Sequence, residues 1–221
     1  MSQWVEITLV LSALMSLALL ATSRLGTCIR LVAAQGGIVG VLPVLISGHI
    51  TVHTALLAIS TIALKGLVFP RVLQRTLLGG RIRREVEPYV GYTASVLFGV
   101  IALAASFFLS NRLPMPAGHA SNLIVPIAFF NIFIGLFVIV SRHKALTQVL
   151  GYLVMENGIY SFGMALAIKQ PILVEIGVLL DVFVAVFVMG ITIFHISREF
   201  DDIDVDQLTM LSEIKTTDQH A

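Results

Sequence analysis

The sequence predicts an all-α bundle of about seven transmembrane helices. Of the 221 residues, 57% are hydrophobic and only 12% are charged, whereas soluble domains carry about 25% charged residues. A soluble domain of this size must cover a large wet surface, which this composition does not allow. The chain also contains apolar runs near the ~20 residues that a helical span requires. Because the bilayer interior offers no water to backbone groups, runs of this length are expected to be helices.

Seven such runs follow one another along the chain. The first has no basic segment before it and no convincing cleavage site, so it is interpreted as a retained helix rather than a signal peptide. The second and third runs, and the sixth and seventh, are joined by very short polar turns typical of helical hairpins. The predicted spans are residues 5–21, 31–46, 51–70, 89–109, 121–140, 148–168 and 171–196.

The basic residues predict an orientation for this bundle. Eleven of the 14 Lys and Arg residues fall in one set of loops and termini, only Arg112 and Lys169 fall in the opposite set, and Lys65 lies within a span. The positive-inside rule therefore places the N-terminus outside and the C-terminus in the cytoplasm. The eleven are Arg24, Arg30, Arg71, Arg75, Arg81, Arg83, Arg84, Arg142, Lys144, Arg198 and Lys215.

The bundle is divided into three parts, residues 1–86, 87–120 and 121–200, followed by an acidic cytoplasmic tail at 201–221. The basic loop 71–87 is interpreted as a topology anchor, with docking of a partner or of anionic lipid as the alternative. The tail is too short for a domain, and it is predicted to lie along a partner. The first and last three spans also overlay, with Gln35 matching Glu156 and Ser60 matching Asp181. This overlay suggests a parallel three-helix repeat connected by the fourth helix.

Ionisable residues within spans are costly in a bilayer and mark function by default. Glu156 and Asp181 each lie about ten residues, or ~15 Å, into the sixth and seventh spans, near the midplane. Lys65 lies nearer the cytoplasmic end of the third span. Buried acids and lysines can exchange protons near neutral pH, so these three residues are predicted to form a proton or ion relay. The alternative is a static pair of Lys65 with Asp181 or Glu156.

Other residues give weaker signals. Glu175 is predicted to be a boundary residue near the outer surface, and His195 is interpreted either as a proton-entry residue or as a neighbour of a helix end. His49 and His53 have the i, i+4 spacing of metal or haem ligands, but two ligands do not complete a site, so interfacial histidines are favoured. We also identify no catalytic motif and no metal site. Three glycines of the second span, Gly36, Gly37 and Gly40, are predicted to allow close helix packing. Cys28 is interpreted as an ordinary small residue near a helix end, and His143 as part of a basic loop.

Two stretches carry a resemblance to known families. These are GYLVMENGIYSFGMAL at 151–166 and VEIGVLLDVFVAVFVMGITIFHISREF at 174–200, the latter followed by the acidic tail. They resemble the K subunit of respiratory complex I and the C subunit of multi-subunit sodium/proton antiporters, which carry a carboxylate in the second of three spans. The whole chain looks like the E subunit of hydrogenase-4, a family of membrane components of formate hydrogenlyase-type complexes.

The resemblance implies site residues and partners. Asp181 falls where the K subunit has its third-span acid. Aligning Met155 and Asn157 with the family places its second-span acid at Leu153, one turn before Glu156. In the first half of the chain Gln35 stands where the acid would be, and Lys65 is the other relay candidate there. The implied partners are antiporter-like membrane subunits, a membrane anchor subunit and cytoplasmic redox subunits with iron–sulfur clusters and Ni–Fe. No cofactor is implied in this chain.

The function expected from these observations is that of a non-catalytic subunit in the cell inner membrane. It would belong to a proton- or sodium-translocating hydrogenase or complex I-like redox complex, and would contribute Glu156, Asp181 and Lys65 to the ion path, with Asn157 and Gln35 as accessory residues. The alternatives are a stand-alone transporter or antiporter and a purely structural membrane scaffold. The identity of the ion and of the electron donor stays open.

Overall fold

The computed structural model describes residues 2–47, 52–79, 89–113, 121–142 and 144–166. The structure is about 90% helical and has no strand within these residues, which confirms the predicted all-α class. The helices are α1 (Ser2–Ala21), α2 (Leu25–Val39), α3 (Leu42–Ser47), α4 (Val52–Thr61), a π-helical segment (Ile62–Val68), α5 (Phe69–Gly79), α6 (Tyr92–Arg112), α7 (Ile124–Ser141) and α8 (Ala145–Leu166).

Five stretches of these helices are long and apolar enough to cross a membrane, and they coincide with the first five predicted spans. Helix α8 has 22 residues and occupies the sixth predicted span, but Gln148, Glu156 and Asn157 make it more polar than the other five. The seventh predicted span lies outside the described residues. The count of seven and the orientation therefore stay predictions. The five stretches are Gln3–Ala21, Leu25–Ile46, Thr54–Arg75, Tyr92–Arg112 and Ile124–Ser141.

The second span is broken at the junction of α2 and α3. Pro43 has no backbone N–H, and its ring would clash with the carbonyl of Val39 in an unbroken helix. Helix α2 ends at Val39, and the N–H of Gly40 still bonds to the carbonyl of Gly36 at 2.9 Å. The N–H of Val41 closes a tighter turn onto Ile38 at 3.2 Å before α3 begins. These two bonds keep the carbonyls of Gly36 and Ile38 paired across the break.

The third span continues through Pro70, where the sequence predicted its end. A π-helical segment precedes this proline, and the N–H of Phe69 bonds to the carbonyl of Leu64, five residues back. The wider turn removes the clash that Pro70 would cause in an α-helix. It also preserves a face, because Thr61, Lys65 and Phe69 are all buried at a four-residue spacing. On an ordinary α-helix this spacing would drift by ~40° at each step.

Helices α7 and α8 pack most closely. A Cβ on Gly158 would lie 2.7 Å from the carbonyl oxygen of Ala128, and a Cβ on Gly151 would lie 2.8 Å from that of Gly135. These glycines therefore allow the two backbones to touch. The α7–α8 pair packs against α1 and α2. Two apolar clusters fill the interior, one around Phe130 and Leu150, the other around Leu9 and Ile124.

Arg142, predicted to lie in a loop, directly follows α7 and is buried with 2% of its surface exposed. Its Nη2 donates to the carbonyl oxygen of Leu20 at 3.3 Å, at the end of α1. Its guanidinium also lies 4.7 Å from the ring centroid of Tyr92. A cation at a helix C-terminus complements the helix dipole, so Arg142 joins the end of α1 to the end of α7.

Candidate functional site

A buried ion pair joins two of the predicted site residues. The ammonium Nζ of Lys65 lies 2.6 Å from Oε1 of Glu156, and the two residues are 4% and 1% exposed. Lys65 belongs to the π-helical segment and Glu156 to the middle of α8. Of the two partners that the sequence offered for Lys65, the structure places Glu156 beside it, while Asp181 lies outside the described residues.

Two residues of α8 surround the Lys65 ammonium together with Glu156. Lys65 donates a second hydrogen bond to Oδ1 of Asn157 at 3.1 Å. The Tyr160 ring, one turn further along α8, has its centroid 4.9 Å from Nζ, a distance at which an aromatic face attracts a cation. The consecutive Glu-Asn pair and a tyrosine four residues after the glutamate thus converge on one cation.

Gly36 of α2 allows the π-helical segment to approach this pair. A Cβ on Gly36 would lie 2.6 Å from Cβ of Lys65, closer than real side chains pack. The predicted role of Gly36 in close helix packing is therefore confirmed. A glycine is needed at this position because it faces Lys65. Gly37 is different, because a Cβ there would meet nothing within 4 Å.

We expect Gly36→Ala to lower stability by about 1–3 kcal/mol, the usual cost of overpacking, and to push Lys65 away from Glu156. Gly37→Ala is the matched control and should be neutral or stabilising, since alanine favours the helix by about 1 kcal/mol. Thermal unfolding of both full-length variants in the same detergent measures the difference. Equal melting temperatures would contradict the proposed close contact.

A second polar cluster lies beside the ion pair and is connected to it. Nδ2 of Asn157 donates to Oε1 of Gln35 at 3.4 Å. Nε2 of Gln35 lies 2.8 Å from Oγ of Ser16, 3.2 Å from Oγ of Ser12 and 3.3 Å from Oδ1 of Asn131. Ser16 also donates to Oδ1 of Asn131 at 2.7 Å. Hydrogen bonds therefore run continuously from Glu156 on α8 to the serines on α1.

A small cleft of about 10 Å³ lies beside Lys65. Its other walls are apolar and come from the parts of α2, α5 and α8 toward the predicted cytoplasmic side. They include Phe69, Leu150 and Leu153. Leu153 is the position where the resemblance places an acid, so that acid, if present, would share a cleft with Lys65.

The structure brings together four of the predicted site residues, namely Lys65, Glu156, Asn157 and Gln35. The other candidates, Asp181, Glu175, His195, His49 and His143, lie outside the described residues, and the side chain of His53 does as well. Within the described ranges no group of three His, Cys, Asp or Glu residues could hold a metal ion. The thiol of Cys28 is buried there and lies 3.9 Å from the carbonyl oxygen of Thr22.

Three further residues, Ser12, Ser16 and Asn131, are completely buried but were not predicted as site residues. A signal for each was present. The two serines are spaced i, i+4 and so share one face of α1. Asn131 lies well inside the fifth span, where an amide needs a partner. Neither signal names the partner, because only the packing of α1, α2 and α7 brings these side chains together.

Comparisons with known proteins find a small set of relatives. The chain is 34% identical over 189 residues to the uncharacterized protein Rv0085 of Mycobacterium tuberculosis. The aligned residues make up 84% of this chain and 85% of that protein. The chain is 37% identical over 118 residues to hydrogenase-4 component E of Escherichia coli K12, covering 53% of this chain and 54% of that protein. The Shigella flexneri hydrogenase-4 component E matches equally. No family model matches the chain, and no solved structure does.

Proposed function

The chain belongs to the family of Rv0085 and resembles hydrogenase-4 component E over about half its length, and we propose that it is a non-catalytic membrane subunit of an ion-translocating hydrogenase or complex I-like redox complex. The chain spans about half the length of hydrogenase-4 component E, so its partners and ion-coupling role are part of this proposal. The partners would be antiporter-like membrane subunits, an anchor subunit and cytoplasmic redox subunits that carry the iron–sulfur and Ni–Fe centres. The inner membrane would be its location.

The observation that supports an ion-coupling role is the Lys65–Glu156 pair at 2.6 Å, buried between the third and sixth predicted spans. Taking two charges out of water is expensive, and apolar residues of similar volume often stabilise a fold as well or better. Stability alone therefore does not account for the pair. Moving Lys65 relative to Glu156 would change the local charge balance at mid-depth, which is the event that ion coupling requires.

Two features around Lys65 support its movement. It lies in a π-helical segment, a geometry frequent at functional sites. It also borders the small cleft whose other walls lie toward the predicted cytoplasmic side, so its side chain is not packed on every side. Asn157 and Tyr160 would hold the ammonium near Glu156 in the described state. Asp181 would extend the path through the seventh predicted span.

Mass spectrometry of what co-purifies with a tagged copy of this chain in mild detergent tests the proposed complex. We expect antiporter-like subunits together with iron–sulfur or nickel proteins. Recovery of the chain alone, or as a homo-oligomer, would sink the subunit proposal and favour the stand-alone transporter. Ion-flux measurements on liposomes containing only this chain would then follow.

Glu156→Gln tests the role of the pair within the complex. Glutamine keeps the volume and one acceptor oxygen for Lys65, so we expect the complex to assemble while the rate of ion translocation falls at least about tenfold, a barrier change of ~1.4 kcal/mol. Vesicles energised by the redox reaction of the complex, with pH- and Na⁺-sensitive dyes, measure this. Glu6→Gln, the same change at an exposed position on α1, is the matched control and should leave coupling intact.

The structural scaffold is the main alternative, because a direct pair is also what a static contact between helices would show. It predicts that Glu156→Gln either has no effect or abolishes assembly. If assembly is lost, the double change Lys65→Met with Glu156→Met decides, because it leaves no uncompensated charge. Normal coupling in the assembled double variant would establish the scaffold, whereas loss of coupling would support the ion path.

A further inference from the structure

Four oxygen atoms converge on the amide nitrogen of Gln35 in the middle of the bundle. They are the hydroxyl oxygens of Ser12 and Ser16, the backbone carbonyl oxygen of Ser12 and Oδ1 of Asn131, at 2.8–3.3 Å from Nε2. We call these atoms the oxygen cluster. An amide nitrogen carries only two hydrogens, so at most two of the four oxygens receive one from Gln35 at a time. The cluster also bonds within itself, since Ser16 donates to Oδ1 of Asn131 at 2.7 Å and Nδ2 of Asn131 donates to Oγ of Ser12 at 3.0 Å. Four oxygens thus surround the position of one amide nitrogen.

We propose that the oxygen cluster is a binding site for a monovalent alkali cation, which displaces the amide nitrogen of Gln35 and gains Oε1 of Gln35 as a fifth ligand. Ser12 and Ser16 supply the ligands from α1, Gln35 supplies one from α2 and Asn131 one from α7. Each of these residues is at most 1% exposed, so water would not compete freely for the site.

The chemistry of the ligands favours this class of ion. Carbonyl, amide and hydroxyl oxygens are hard ligands, which suits alkali and alkaline-earth ions rather than transition metals. None of the five oxygens belongs to a carboxylate, and divalent ions depend on carboxylates. Amide groups do not titrate, so a chain through Gln35 and Asn131 is a poor proton path. A single positive charge held by neutral oxygens is the remaining fit.

The site is coupled to the ion pair through two amides. At present Gln35 presents Oε1 to Nδ2 of Asn157, and Asn157 presents Oδ1 to Lys65. When Gln35 turns Oε1 to the cation, its Nε2 faces Asn157, which must reorient to accept this hydrogen bond. Asn157 then presents its own N–H groups to the Lys65 ammonium, and that bond is lost. The cation also repels Lys65 directly.

The role of this coupling in ion translocation rests on the proposed function. Cation binding itself is tested separately. The full-length chain, with whichever subunits accompany it, is unfolded thermally in NaCl, KCl, LiCl or choline chloride at equal ionic strength. We expect one alkali cation to raise the melting temperature above the choline value in a saturable way, because a ligand of the native state stabilises it. Equilibrium binding of ²²Na⁺, or of ⁸⁶Rb⁺ if K⁺ is preferred, then gives the affinity.

Two serine variants show whether the oxygen cluster is responsible. Ser16→Ala removes one ligand and should weaken binding about tenfold or more. Ser106→Ala is the matched control, because Ser106 is equally buried but bonds only locally to the carbonyl of Ala102 at 2.7 Å. It should bind as the wild type does. If Ser16→Ala does not fold, Gln35→Glu keeps the size of the ligand, adds a charge and should bind the cation more tightly.

Identical melting temperatures in all four salts would overturn the proposal, as would wild-type affinity in Ser16→Ala or unaltered affinity in a folded Gln35→Glu. These outcomes differ from failure of the proposed function. A chain that binds the cation but purifies alone keeps the site and loses the complex. A chain that co-purifies with redox subunits but is insensitive to cation identity loses the site and keeps the complex.

Discussion

Lys65→Met is expected to destabilise the protein by about 3–5 kcal/mol, the usual cost of removing one partner from a buried ion pair. Methionine fills much of the lysine volume but has no hydrogen to donate. Glu156 and Oδ1 of Asn157 would both lose the donor that now lies 2.6 and 3.1 Å away. The π-helical segment would also lose its polar attachment to α8. This is the largest effect that we expect from a single side chain.

The measurement is the melting temperature of the full-length chain in detergent, where a loss of this size corresponds to roughly 10 °C for a chain of about 200 residues. The control is the double variant with Glu156→Met, which removes both charges and should recover most of the loss, because neutral apolar replacements of buried pairs are often tolerated. A single variant as stable as the wild type would mean that the pair contributes nothing in the membrane.

The second large effect is expected at the α7–α8 contact. Gly158→Ala would place a Cβ 2.7 Å from the carbonyl oxygen of Ala128 and 2.8 Å from the backbone nitrogen of Ile132. Both are backbone atoms that no rotamer change can move, so the helices must separate. We expect a loss at or above the about 1–3 kcal/mol that is typical of overpacking.

Gly163→Ala on the same helix is the matched control. A Cβ at this position would meet nothing within 4 Å, so alanine should be neutral or stabilise the helix by up to about 1 kcal/mol. Thermal unfolding of the two variants side by side measures the difference. The predicted order of stability is Gly163→Ala, wild type, Gly158→Ala. Any order in which Gly158→Ala equals or exceeds the wild type would contradict the backbone contact.

The fold class could be predicted because bilayer length and composition impose it. Helices α1, α6 and α7 lie where the apolar runs placed them. The end of the third span could not be predicted in the same way. Proline usually ends a helix pattern, and only the π-helical segment before Pro70 lets the chain continue to Gly79. The burial of Arg142 could not be predicted either, because charge alone does not reveal that the end of α1 covers it.

The candidate site could be predicted only in part. Lys65 and Glu156 were identified because charges within apolar runs are rare. The sequence did not decide between Glu156 and Asp181 as the partner of Lys65, because that choice depends on how the third span packs against the sixth. Asn131 and the two serines of α1 were missed for the same reason. The hydrogen-bond partners of these side chains lie 19 to 119 residues away in the chain, so the sequence near each residue does not identify them.

The broken spans and the closely packed α7–α8 pair give the bundle two mechanically different halves. Helices α7 and α8 contact each other through their backbones and would move together as one rigid unit. The second and third spans each contain a joint, at Gly40 and at the π-helical segment, and these joints lie against each other where a Cβ on Gly40 would meet Ile62. A force applied by a neighbouring protein would therefore bend the second and third spans before it separates α7 from α8. Lys65 would slide past Glu156, while the spacing between Asn131 and Asn157 stayed fixed.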